Sequence, residues 1–145
     1  MLQENKTSAI AKTSHEKFLE LTDDQKVKDV HNILKRFPTS VPILLLPDAK
    51  FQSPPLKAVK YVISGHVTFG QFVALIRQKF VLNPQEALFF LINDSVVPAN
   101  YSLLSDLHIK NKDKYGYLRI TYVAENTFGA FSQRTYHRLL VTSLE

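Results

Sequence analysis

The residue types that usually carry catalysis are sparse in this 145-residue chain. It holds no cysteine, which removes disulfides, thiolate metal sites and a thiol nucleophile together. Its five histidines, His15, His31, His66, His108 and His137, show no metal-ligand spacing and read as surface or packing residues. Gly65, Gly70, Gly116 and Gly129 are its only glycines, and none belongs to a phosphate-cradling loop. No serine sits in a nucleophile-elbow pattern. The chemistry-bearing residues therefore assign no enzyme activity, no metal and no cofactor.

Two stretches point to binding instead. In Lys114-Tyr115-Gly116-Tyr117-Leu118-Arg119-Ile120-Thr121-Tyr122 basic and aromatic residues interleave on a strand, a loose echo of RNA-recognition strands whose exposed aromatics stack on bases. Register and position oppose that reading. Tyr115 intrudes into the basic-Gly-aromatic order, and only a tail follows, where a helix and a further strand are required. The second stretch is Lys60-Tyr61-Val62-Ile63. At a sheet edge its unpaired backbone groups would accept an extended peptide, with neighbouring apolar residues forming pockets for alternate side chains. The plainer alternative makes those apolar residues core, Ile33, Phe72 and Leu75 among them.

The elements that position these stretches follow from capping and periodicity. Residues 1–13 are polar and weakly apolar, and are expected to be disordered. A short helix fits His15–Leu21. Thr22-x-x-Gln25 is a capping box, with Asp23 and Asp24 suiting the helix start and Lys35 and Arg36 its end. Val27, Val30, Ile33, Leu34 and Phe37 make its apolar stripe, and Pro38 stops it. Val41–Leu46 reads as a buried strand in which Pro42 takes a place needing no ladder donor. A loop with Pro54-Pro55 leads to a second strand, Val59–Ile63. Thr68-x-x-Gln71 caps the next helix, with Phe69, Phe72, Val73, Ile76 and Phe80 at helical spacing. Ala87–Ile92 is nearly all apolar and reads as a central strand. Leu103, Leu104 and Leu107 suggest a short helix. Tyr117–Val123 alternates as a half-buried strand does. Two strands before the long helix and two or three after it predict an α+β fold, a ubiquitin-like β-grasp with two additional N-terminal helices.

Composition agrees with a compact domain. Hydrophobic residues at 45% and charged residues at 21% exclude a disordered or fibrous chain. A net charge of +5 favours acidic partners without naming one. The longest apolar run, Val41–Leu46, falls far short of the ~20 residues of a membrane span, and no signal peptide is visible. A membrane role would need an anchor or a surface contact.

Several motifs taken together resemble one family. Val41-Pro42-Ile43, Thr68-x-Gly70-Gln71-Phe72-x-x-Leu75-Ile76-Arg77, Ala87-Leu88-Phe89-Phe90 and the aromatic-Gly pair Phe128-Gly129 are similar to the autophagy-related ubiquitin-like modifiers, relatives of microtubule-associated-protein light chain three and the GABA-receptor-associated protein. The resemblance covers roughly Asp23 to Gly129. It departs from the family at Ser64, where a proline is usual, and at Gly116-Tyr117, where an aromatic pair is usual.

What the resemblance implies is a tag and not a catalyst. A cysteine protease would cut between Gly129 and Ala130. Activating and conjugating enzymes would then pass the glycine carboxylate to phosphatidylethanolamine. The expected organisation is residues 14–129 as the modifier domain with its helical extension, and 130–145 as a discarded tail. The family also binds aromatic-x-x-aliphatic peptides of cargo receptors. By matching motifs, the aromatic pocket would use Asp29, Ile33, Pro42, Leu44, Lys60, Val62 and Tyr117. The aliphatic pocket would use Tyr61, Ile63, Val67, Phe72 and Leu75, with Lys60 and Arg77 meeting acidic residues that flank the peptide. The implied protein is a monomer in the cytoplasm, on autophagosomal membrane once lipidated, with no nucleic-acid partner. Alternatives are a modifier conjugated to protein, and an RNA-binding domain of similar layout.

Overall fold

The chain folds in the order α1 (Ser14–Leu19), α2 (Asp23–Arg36), β1 (Ser40–Pro47), β2 (Lys60–Ser64), α3 (Phe69–Arg77), β3 (Glu86–Ile92), α4 (Leu104–Asn111) and β4 (Leu118–Asn126). The computed structural model describes residues 14–81 and 86–126. Both expected capping boxes form. The Gln25 and Gln71 N–H groups donate to Thr22 and Thr68 Oγ1 at 3.2 Å each, and the glutamine side chains accept in return from the threonine N–H groups at 2.8 and 3.0 Å. Each box satisfies donors that a helix start would otherwise leave orphaned.

The four strands make one mixed sheet in the order β2-β1-β4-β3. β1 runs antiparallel to β2 and parallel to β4, and β3 runs antiparallel to β4. The architecture is the expected α+β one, with α1 and α2 added at the N-terminal side. Two expectations about the sheet are reversed. The apolar run expected to be central, Ala87–Ile92, forms the edge strand β3, and the alternating stretch expected to be half-buried forms the interior strand β4. Helices on both faces explain the reversal. Leu118, Ile120 and Tyr122 face one layer, while Tyr117, Thr121 and Val123 on the other side are buried as well.

Pro42 sits where its missing N–H is not needed. The Leu45 N–H donates to the Val59 carbonyl at 2.7 Å. Antiparallel pairs alternate between bonded and non-bonded, so Pro42 opposite Val62 falls at a non-bonded pair. Pairing of β1 with β4 begins one residue later, at Ile43 opposite Leu118.

Two cores flank the sheet. Beneath it, Phe69, Phe72, Val73 and Ile76 of α3 pack on Val41, Ile43 and Leu45 of β1 and on the inward residues of β3 and β4. Full burial of such a side chain contributes about 1.5–3 kcal/mol. Above it, Phe18, Val30, Leu44, Leu46, Val59 and Tyr117 form a smaller cluster under α1 and α2. The α2 stripe is shorter than its periodicity implies, because Val30 is buried while Val27 and Phe37 at the two ends are exposed. Phe80 lies past the end of α3, in turns closed by Lys79 and Phe80 N–H bonds to the Ile76 and Arg77 carbonyls, and packs with Phe51 and Tyr122.

The entry to β4 is tightly built. Asp113 Oδ1 accepts from the N–H groups of Tyr115, Gly116 and Tyr117, each at 2.9 Å. Gly116 has φ +102°, and a Cβ there would stand 2.7 Å from Val30 Cγ1, so only glycine suits this position. Residues 1–13, Phe128-Gly129 and the tail 130–145 lie outside the described residues.

Candidate functional site

β2 is an edge strand, the position at which its backbone groups could accept an extended peptide. The ladder phase set by Leu45 and Val59 turns the N–H and C=O of Tyr61 and Ile63 toward β1. It turns those of Lys60 and Val62 outward, where they can pair with an added strand. Side chains alternate in the same rhythm. Lys60 and Val62 (39% exposed) rise on the α2 face, while Tyr61 and Ile63 point down against the core of α3.

On the lower face Tyr61, Ile63, Val67 and Phe72 come together. The Tyr61 ring meets Phe72 edge-on, with centroids 6.1 Å apart, and Ile63 and Val67 pack on the same core. Phe72 is buried and forms the floor, while Leu75 is 47% exposed and forms part of the rim. The plainer reading therefore holds for Phe72 but not for Leu75. Burial raises the Tyr61 phenol above the usual tyrosine range.

The upper pocket differs from expectation. Asp29, Lys60 and Tyr117 do converge there above Leu44, but Pro42 is buried, and Leu44 and Tyr117 are each 0% exposed. α1 covers them, and its Phe18 ring meets Tyr117 edge-on at 5.6 Å. Asp29 is occupied as well. Its carboxylate accepts from Lys60 Nζ at 3.0 Å to both oxygens, and from the Tyr117 hydroxyl. Burial and the hydrogen bond to Asp29 hold the Tyr117 phenol far above its ordinary range. Ile33 stays half-buried on α2. The open recess lies beside Lys60 instead. It is a cleft of about 370 Å³ lined by Lys17, Phe18, Leu21, Ala58, Val59 and Lys60.

Sequence reasoning did not find this recess. The i, i+3 pair Phe18 and Leu21 was visible, but nothing local says that α1 folds back over β1. Arg77 also departs from its expected place. Its Nη2 donates to the Leu88 carbonyl at 2.8 Å and its guanidinium stacks over Phe90 at 5.7 Å. It therefore covers the outer edge of β3, two strands away from β1 and three from β2. The basic–aromatic stretch on β4 likewise presents no strand tyrosine for base stacking. Tyr117 and Tyr122 are buried, and Arg119 faces Asp113 at 3.9 Å.

The arrangement suits one kind of ligand, an extended chain laid along Lys60–Ser64. Strand side chains alternate between faces, so residues three apart point to opposite sides. An aromatic residue and an aliphatic one at i and i+3 would then reach the upper recess and the lower pocket from one added strand.

The family profile described as Autophagy protein Atg8 ubiquitin like matches residues 25–129. Autophagy-related protein 8 of Candida glabrata is 34% identical over 106 residues, covering 73% of this chain and 89% of that protein. Autophagy-related protein 8e of Arabidopsis thaliana is 33% identical over 109 residues, covering 75% and 88%. The crystal structure of Trypanosoma brucei ATG8 superposes with a TM-score of 0.67 at 27% identity, covering 82% of this chain and all of that one. Plasmodium falciparum Atg8, solved with a Plasmodium falciparum Atg3 peptide, shares the fold with a TM-score of 0.64 at 21% identity, covering 72% and 91%. A sheet with β2 at its edge, crossed by α3 and extended by two N-terminal helices, together with a profile match over most of its length, makes this chain a member of the Atg8 family of autophagy ubiquitin-like modifiers.

Proposed function

We propose that the protein is a modifier precursor, cut between Gly129 and Ala130 by a cysteine protease and joined through Gly129 to phosphatidylethanolamine. Activating and conjugating enzymes carry out the transfer, and catalysis stays with those partners. On the autophagosomal membrane the β2 edge gathers cargo receptors through aromatic-x-x-aliphatic peptides. The observation that carries the reading is the β2 edge, unpaired among the described residues and set between an apolar recess above and the Tyr61, Phe72 and Leu75 pocket below.

Further features support it. The family match stops at residue 129, with Ala130–Glu145 beyond it. Glycine suits passage through narrow transfer sites because it lacks a Cβ. No helix among the described residues is long and apolar enough to cross a membrane, and two acyl chains at ~0.8 kcal/mol per buried CH₂ would anchor the protein stably. The Plasmodium falciparum relative holds an Atg3 peptide, which agrees with short peptides as partners here.

Intact mass spectrometry of the protein from its own cells tests the first half. The expected mature species ends at Gly129 and carries a phospholipid, and Gly129→Ala removes that species. A lipidated Gly129→Ala protein, or a protein adduct in place of the lipid, would overturn the assignment.

A further inference from the structure

The segment beyond the family match contains its own aromatic-x-x-aliphatic sequence, Tyr136-His137-Arg138-Leu139. We propose that this tail segment lies along the β2 edge of its own chain and masks the peptide face until the tail is removed. The inference rests on the peptide-binding reading above and adds its regulation.

Reach permits it. Asn126 stands four residues past Tyr122, which pairs with Pro47, and Lys60 pairs with Leu44, three residues before Pro47. Those seven residues along the sheet span about 23 Å, and the two strand spacings across it about 10 Å, so the direct distance is about 25 Å. The ten residues from Asn126 to Tyr136 extend to about 33 Å.

Direction permits it as well. β4 runs parallel to β1, and β2 runs antiparallel to β1, so β4 finishes at the end of the sheet where β2 begins. A chain leaving β4 therefore meets Lys60 before Ser64. Tyr136 arrives first, beside the recess formed by Phe18, Val59 and Lys60 on the upper face. Leu139, three residues on, turns to the lower face at Tyr61 and Leu75.

Charge sets the strength. Arg134 precedes the motif and Arg138 lies within it, and the Lys60 rim offers a basic segment no attraction. The tail is a weak ligand by itself, but a short tether holds it at a millimolar effective concentration. Such a mask competes with receptor peptides while attached and is lost by dilution once cut.

The test titrates the full chain with a synthetic peptide carrying an acidic run before Trp-Ser-Ser-Leu. Compared with the unaltered chain, the Tyr136→Ala/Leu139→Ala double variant is expected to bind about three- to tenfold more tightly. Leu140→Ala, which leaves both anchors in place, is expected to bind as the unaltered chain does. Equal affinity of the double variant and the unaltered chain would overturn the masking and leave the peptide face standing. A similar gain from Leu140→Ala would overturn the assigned anchors. Failure of every form to bind the peptide would overturn the peptide face and the mask together.

Discussion

Replacing Val62 with proline tests the edge-strand reading at one atom. The Val62 N–H points away from β1, because Val62 opposite Pro42 is a non-bonded pair of the ladder. Proline there removes no bond within the sheet, and edge positions of this kind accept it. An added peptide strand, by contrast, loses the donor it would pair with. The lost hydrogen bond is worth about 0.5–1.5 kcal/mol, and a peptide carbonyl left unsatisfied raises the cost to about 1–3 kcal/mol. At 1.4 kcal/mol per tenfold, the dissociation constant should rise about fivefold to a hundredfold. Calorimetric titration with the acidic Trp-Ser-Ser-Leu peptide reads the affinity, and urea unfolding checks that stability has moved by no more than about 1 kcal/mol. A folded Val62→Pro protein with unchanged affinity would refute strand addition at β2.

Two further outcomes follow from the packing. Gly116→Ala should destabilise the domain by about 2–5 kcal/mol, combining strain at positive φ with a clash against Val30, and an unchanged urea midpoint would refute this account of the β4 entry. The folded state favours the neutral Tyr117 phenol, so stability is fully present below about pH 10, where the unfolded tyrosine begins to ionise, and declines above it by about 1.4 kcal/mol per pH unit. Tyr117→Phe should make that alkaline decline shallower by one proton. It should also lower stability near neutrality by about 1.5–3 kcal/mol through loss of the bond to Asp29. An unaltered slope from pH 10 to 11 would refute it.

Much of the fold and part of the site were legible because they depend on near neighbours in the chain. Thr22-x-x-Gln25 and Thr68-x-x-Gln71 close their rings within a single helical turn, so their types and spacing suffice. Val59–Ile63 was legible as a short strand, and Pro42 as a position without a ladder donor. The grouping of Tyr61, Phe72 and Leu75 as one pocket came from the family resemblance and not from local spacing.

Strand order was a different matter. Whether Ala87–Ile92 or Tyr117–Val123 lies inside the sheet depends on what covers each face, and an apolar edge strand reads like a central one. Long-range docking also settled the upper pocket. α1 laid Phe18 on Tyr117, sealing two expected pocket residues and opening a recess beside Lys60, while Arg77 found its acceptor at Leu88 on the far edge. The residue pattern by itself determined where elements begin, which way their side chains alternate, and which family they build. The tertiary structure alone decided which of those side chains remain reachable, because burial is set by elements distant in the chain and local spacing carries no record of them.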